Sequence, residues 1–391
     1  MGAPLSIRPE IAGVPESPLV QIATVAEGMT DAIKLCYGES DLPTPEFISR
    51  AAYDAALAGH TFYTHTAGYS ELREALAAKT RALHAVDVTP KEIMCTVGAS
   101  MGIYVAIRAC IGHGDNAIVI SPGYAIFANA VRMSGGEPRA VPLAQHGSRF
   151  HLDLDRVRAA IDDRTRMVIV NSPSNPTGWI ATTDEQRALY ELAELHGLVL
   201  LADEVYERLA FDTPIAPSFS RIAGDRSRLI VVNSFSKTYN MTGWRLGWVQ
   251  ATEPMIRVLS SAAEFMTSNP TAMVQQAAIV ALRDGEPYVA DLRAQYAARR
   301  TQVVNALGSI PGVSLPQPEG AFYAFPRVAG LTDSASFTMR ILRETGVALA
   351  PGSAFGASGE GCVRLCFASS EATLTRALDR VRSYMLETVI A

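Results

Sequence analysis

A chain of 391 residues with 48% hydrophobic and 19% charged residues can bury a large core, and its length is that of two domains. Its net charge of -5 offers no basic footprint for nucleic acid. No apolar run approaches the roughly 18 residues that a membrane-spanning helix needs, so no membrane partner is expected either.

The five cysteines are odd in number and mostly lie in apolar runs, so reduced core thiols are expected rather than disulfides. Cys362 and Cys366 have no second pair nearby and the seven histidines lack ligand spacing, so no metal is expected. The N-terminus has no charged-then-apolar signal pattern. Gly2 with Ser6 matches a loose myristoylation pattern, and Asn240-Met241-Thr242 a glycosylation sequon; both read as coincidences. A reducing cytoplasm fits this chemistry.

Taken in order, residues 1–35 are punctuated by proline and then weakly helical, and residues 37–45 form a loop with two prolines. Glu46 to Ala58 reads as an amphipathic helix closed by Gly59. A polar, aromatic loop, residues 63–69, precedes Ser70, which is expected to cap a helix running to His84. Strands and helices then alternate. Strands are expected at 93–97, 117–121, 167–171, 198–202 and 229–233; Gly98 to Gly102 turns into a helix that ends near Gly112, and further helices run from Tyr124 to Met133 and from Thr183 to His196, the last with Gly197 as its C-cap.

Five apolar strands alternating with helices predict an α/β fold, a mostly parallel central sheet with helices on both faces. A smaller α+β region follows a long helix from Pro287 to Leu307, with strands near 321–325 and 362–368 and helices near 334–345 and 371–386. The expected division is a large domain over 45–285 and a small one built from 1–44 and 286–391. Ligands of such sheets bind beyond the carboxyl ends of the strands. The polar motifs lie at those ends: the loop at Gly98, Tyr124, Asn175, Asp203 and Lys237.

The stretch Ser234-Phe235-Ser236-Lys237-Thr238 follows the apolar run 229–233 directly. A lysine just past a buried strand end is poorly placed to be solvated. Burial lowers an amine's pKa, and a partly neutral amine attacks carbonyls. Arg245, eight residues on, offers a guanidinium to a phosphate. Taken singly, such residues have plainer readings: a surface lysine for Lys237, a capping carboxylate for Asp203, a turn residue for Asn175, a core ring for Tyr124 and a structural ion pair for Arg364.

Six short segments in order resemble the aspartate aminotransferase superfamily, the class I/II pyridoxal-phosphate enzymes of fold type I. They are Gly38 in its Pro-rich loop, Tyr63-Thr64 with Gly68 and Leu72-Arg73, Asn175-Pro176-Thr177-Gly178, Asp203-Glu204-Val205-Tyr206, Ser234 to Lys237 with Gly243-Trp244-Arg245, and Arg364 to Ala368. The resemblance implies that Lys237 forms a Schiff base with pyridoxal 5'-phosphate and moves the substrate α-proton. It implies that Asp203 pairs with the pyridine nitrogen, that Tyr206 and Asn175 bond the ring hydroxyl, and that Tyr124 stacks on the ring. The phosphate would be held by Ala99, Ser100, Ser234, Ser236 and Arg245, joined by Tyr63 of a neighbouring subunit in a homodimer with shared sites. The substrate α-carboxylate would meet Arg364, Gly38 and Asn175, with Gln275 near the site.

The activity implied is transfer of an amino group from an L-amino acid to a 2-oxo acid by a ping-pong route. A lyase, decarboxylase or oxidase outcome on the same fold is the alternative. A cofactor-sensing regulator would need a DNA-binding segment, and residues 1–35 are too short and too weakly basic to supply one. This chain departs from common relatives at Pro122-Gly123-Tyr124-Ala125, Met101 and Cys366, and at Ser100, where some aspartate-preferring relatives have lysine. No second arginine or lysine stands out for a dicarboxylate. Tyr63, Tyr69, Leu19 and Ile22 are the expected lining of the side-chain pocket, which leans toward apolar or aromatic donors.

Overall fold

Seven chain segments form one mixed sheet in the computed structural model, which describes residues 7–388; Gly2 and Ser6 lie outside them. In chain order they are β1 Ile93–Thr96, β2 Asn116–Ser121, β3 Glu137–Pro142, β4 Thr165–Asn171, β5 Val199–Asp203, β6 Leu229–Ser234 and β7 Gly247–Gln250. Across the sheet they run β1-β7-β6-β5-β4-β2-β3. Adjacent pairs are parallel except at β7, which is antiparallel to both β1 and β6.

Every residue of β1, β2, β6 and β7 is buried, because helices cover both faces and leave no face for water. One face packs Ile103, Ile107, Phe127 and Leu259; the other packs Trp179, Leu189, Tyr190 and Phe219.

Five of these strands match the apolar runs expected from the sequence. β3 and β7 do not. β3 is the sheet edge, where two prolines and Arg139 are tolerated because the outer side needs no ladder bonds. β7 is four residues long and follows directly on the turn that carries Arg245.

The helices Glu46–Leu57 and Thr183–Leu195 fall where expected. Thr182 and Glu185 form a reciprocal capping box, and Gly197 closes the second helix at a φ of +69°. Ser70 is not a cap: Tyr69 occupies that place and Ser70 is the first helical residue. The helix after β1 runs Gly98–Cys110, so its first turn, with Ala99 and Ser100, lies at the sheet end as expected.

The C-terminal third builds a three-stranded antiparallel sheet from Tyr323–Ala324, Val363–Cys366 and Ala350–Pro351. The long helix Glu286–Gly308 and the helices Ser334–Thr345 and Glu371–Thr388 surround a core that includes Tyr296, Phe322, Phe337 and Leu374. Ile33–Lys34 pairs in parallel with Val347–Ala348, tying the N-terminal segment to this region.

Candidate active site

Three of the predicted groups, Lys237, Asp203 and Asn175, sit at or just past the end of a buried strand. β6 ends at Ser234, whose hydroxyl caps the single turn Phe235–Thr238 by accepting from the Ser236 N–H at 3.0 Å. That turn aims Lys237 inward, and its ammonium donates to the Gly38 carbonyl at 2.6 Å. Burial lowers the Lys237 pKa to about 8, and the nearby Arg364 charge acts in the same direction.

β5 ends at Asp203, whose buried carboxyl accepts from the Val205 N–H at 3.1 Å. Burial pushes its pKa up to about 7 against the pull of Lys237. β4 ends at Asn171. Its amide donates to the Asp203 carbonyl at 3.1 Å and accepts from the Asn175 N–H at 2.7 Å, which joins two neighbouring strand ends. Tyr206 is buried and its hydroxyl lies 2.7 Å from that of Tyr323. Burial raises its pKa well above the usual phenol value.

Beyond β1, Ala99 and Ser100 lie in the first turn of the helix Gly98–Cys110, where backbone N–H groups have no helical partner. Arg245 approaches from a left-handed backbone position, φ +54°, and its guanidinium donates to the Thr242 carbonyl at 2.7 Å. A side chain at Gly98, itself at φ +72°, would overlap that guanidinium. Gly98 therefore clears the space that lets Arg245 reach the helix start.

At the opposite end Arg364 projects from Val363–Cys366 and is only 2% exposed. It donates to the Asn175 side-chain carbonyl at 3.0 Å and to the Cys36 carbonyl, while its Nε has no partner. Its guanidinium lies 4.6 Å from the Tyr323 ring and 4.8 Å from the Phe355 ring. No carboxylate pairs with it among the described residues, which removes the reading as a structural ion pair. A buried guanidinium with one free edge is an incomplete anion site. Gly38 is required beside it: a Cβ there would come within 2.6 Å of the Tyr323 hydroxyl.

All the site residues expected from the sequence except Tyr63 line one cavity of about 320 Å³. Tyr63 is 89% exposed and lies with Phe62 and the segment 267–273 at a separate surface depression. Of the expected side-chain lining, Leu19 borders the cavity, whereas Ile22 is buried in an adjacent core cluster. Tyr69 does not border it, and neither does Gln275. The Gln275 side chain accepts from the Tyr69 N–H at 2.7 Å and donates to Thr64 at 3.1 Å, pinning the 63–69 loop.

Tyr37, Asn171 and Tyr323 line the cavity without having been expected there. Asn171 ends an apolar strand run and Tyr323 lies inside one, so both resemble core residues in sequence. The position of Asn171 at a strand end was the one usable signal for it.

A family model described as "Aminotransferase class I and II" matches residues 30–381. The aspartate aminotransferase of Pyrococcus abyssi is 36% identical over 376 residues, covering 95% of this chain and 96% of its own. The aromatic-amino-acid aminotransferase 2 of Thermococcus litoralis is 35% identical over the same shares. A solved aspartate aminotransferase mutant of Thermus thermophilus superposes with a TM-score of 0.91 at 33% identity, covering 97% of this chain and 99% of that one.

The chain belongs to the class I and II aminotransferases. It is a pyridoxal-phosphate-dependent transferase of fold type I.

The residues present fit that cofactor. A buried amine of lowered pKa would meet its carbonyl, and a helix start with Arg245, Ser234 and Ser236 would meet its phosphate. The Asp203 carboxyl, held near neutrality by burial, would be returned to its charged form by a protonated ring nitrogen.

Proposed function

We propose that this aminotransferase moves the amino group of an L-amino acid to a 2-oxo acid in two half-reactions, with Lys237 as the group that binds the cofactor and carries the proton. The observation that supports this most is Lys237 itself. Among the described residues it is the one lysine lining the cavity, with a pKa lowered to about 8, close enough to neutrality to give and take a proton.

Arg364 and Asn175 present two donors to the substrate α-carboxylate, the free Nε of Arg364 and the side-chain amide of Asn175. The Gly38 carbonyl holds the Lys237 ammonium at 2.6 Å, a resting place for the proton taken from the α-carbon. Bound pyridoxal phosphate supplies an electron sink for the pair left when that C–H bond breaks. Asp203 would keep the ring nitrogen charged, Tyr206 and Asn175 would bond the ring oxygen, and Tyr124 would offer its ring face. Ala99, Ser100, Ser234, Ser236 and Arg245 would hold the phosphate.

The functional unit in this reading is a homodimer. Phe62 and Tyr63 are 80% and 89% exposed side by side, and Phe265 is 90% exposed, rings that a second copy would cover. Tyr63 would then complete the partner's phosphate site. A division into a domain over 45–285 and one over 1–44 with 286–391 is supported by the seven-stranded sheet lying within 93–250 and the three-stranded sheet within 323–366. Five unpaired cysteines suit a reducing cytoplasm.

The test is Lys237→Ala, assayed with a panel of amino donors and 2-oxoglutarate in the presence of pyridoxal phosphate. Both turnover and the visible absorbance that depends on the lysine should vanish. A variant that kept either would remove Lys237 from this role.

A further inference from the structure

Gln275 lies outside the cavity, yet it is fully buried and every polar atom of its amide is engaged. Besides accepting from the Tyr69 N–H, it donates to the Thr64 hydroxyl at 3.1 Å and to the Pro270 carbonyl at 2.8 Å. The two donated bonds run to opposite sides of one surface depression. Thr64 adjoins Tyr63, which lines one side with Phe62; Pro270 lies between Asn269 and Thr271, which line the other. One buried amide thus stitches both rims together.

Loop and amide are fitted to each other. Gly68 sits at φ +90°, and a Cβ there would come within 2.9 Å of the Gln275 carbonyl oxygen and 2.8 Å of Cys95. The Cys95 N–H on β1 donates to the Ala67 carbonyl at 3.0 Å, and the His60 ring meets the Tyr69 hydroxyl at 3.3 Å, closing the loop on itself. Downstream of Tyr63 the loop is therefore bonded to the body of the chain at Ala67, Tyr69 and Thr64. The Thr64 bond is the nearest of these to Tyr63. Packing cannot fix a ring that is 89% exposed, whereas a buried amide with all its partners met holds one arrangement.

We propose that Gln275 is the positioning residue for Tyr63 and that it acts in trans: the amide of one subunit sets the phenol that completes the cofactor phosphate site of the other. This rests on the homodimer reading above. A phenol donating to a phosphate makes a charge-assisted bond, which forms only where donor and acceptor meet within about 3 Å. Without the amide the loop keeps its Cys95 bond, but Tyr63 no longer reaches the partner in a fixed place.

Mixed dimers test this, read by titrating the lysine-dependent visible absorbance with pyridoxal phosphate. In the first, one chain carries both Lys237→Ala and Gln275→Met and its partner is unaltered, so the live lysine faces an altered loop. In the second, Gln275→Met stands on the chain with the live lysine and Lys237→Ala on the partner. Cofactor binding should be about 10-fold weaker in the first and unchanged in the second, relative to a dimer with Lys237→Ala alone on one chain. Thr64→Val, an independent and milder change on the half-buried loop, should weaken binding about 3-fold in the same trans sense, and Thr64→Ser should restore it. Tyr63→Phe should also act in trans, and beside it Gln275→Met should add nothing.

An effect of Gln275→Met or Thr64→Val that follows the live lysine's own chain, or persists at full size beside Tyr63→Phe, would overturn the proposal. So would silent Gln275 and Thr64 variants beside a Tyr63→Phe that acts in trans; the homodimer reading would then stand. A protein that stays monomeric, or a Tyr63→Phe that acts in cis or not at all, would refute the homodimer reading and this proposal with it.

Discussion

Two groups of buried charge lie within six residues of one another, and they are built on opposite plans. Glu207 receives Lys79 and, at 2.9 Å, His84, while Arg208 is paired with Glu286. The Lys79 ammonium also sits 4.9 Å from the Trp248 ring centre. The paired Lys79 and His84 charges hold the Glu207 carboxyl well below its usual range in spite of burial. Asp203, four residues earlier, is equally buried, has no cation bonded to it, and is pushed the other way. Arg364 is buried with its Nε unpartnered. Charges that hold the fold close upon one another. Charges left open by the fold await something from outside it.

Substitution separates the two plans. Arg364→Met removes a buried charge that no carboxylate compensates, so stability should stay within about 1 kcal/mol or rise, while kcat/KM for amino donors falls about 10²–10³-fold. Thermal unfolding together with steady-state kinetics reads both. An equal loss of stability would place Arg364 with the structural charges. Glu207→Ala should do the reverse: it strands Lys79 and His84 and costs about 3–5 kcal/mol in denaturant unfolding, with kcat nearly kept in the folded fraction.

pH gives the third contrast. A folded-state pKa of about 7 for Asp203 lies above its unfolded value, so the folded protein binds more protons between about pH 4 and 7. Cofactor-free protein should therefore lose stability as pH rises through that window, by up to about 1.4 kcal/mol per pH unit for each such group. Glu204, raised to about 7 by burial, adds a slope of the same sign. Asp203→Asn should remove one of the two contributions, stabilise the cofactor-free protein near pH 7, and weaken pyridoxal phosphate binding. A pH slope unchanged by the substitution would show that Asp203 is charged already.

The smallest effect concerns Tyr323. Tyr323→Phe deletes the hydroxyl 2.7 Å from Tyr206 but keeps the ring beside Arg364. Loss of one buried hydrogen bond should lower kcat/KM about 3–10-fold and shift the pH midpoint of the lysine-dependent absorbance. The shift should disappear in a Tyr206→Phe background. A midpoint that stays fixed in both would make the phenol pair a packing contact.

Most of the site was legible before the fold because its groups differ in chemistry from what surrounds them. Asp203 ends an apolar run with a charge, Lys237 follows one closely and Arg364 interrupts one, and a buried charge demands a reason. Tyr323 gave no such signal, since a tyrosine in Ala321–Phe325 reads as core until its hydroxyl is seen meeting Tyr206. Ile22 was expected in the substrate pocket and is core: Leu19 packs on the same cluster but is only partly buried and reaches the cavity, whereas Ile22, one turn on, is enclosed by it. β7 escaped notice for a related reason: its residues follow the arginine turn without a break, and four residues hold no measurable alternation.

That short strand governs how the site comes into being. β1 has no other neighbour in the sheet, and Gly247 pairs with Thr96 on one side and Ser234 on the other. A Cβ at Gly247 would come within 2.7 Å of both the Ala99 nitrogen and the Asn233 carbonyl. Without those four residues β1 would have no ladder partner, and only side-chain packing of its helix on β5 and β6 would hold the helix start beside the lysine turn. The short strand is thus the ruler of the cofactor cradle: it sets the register of one half against the other.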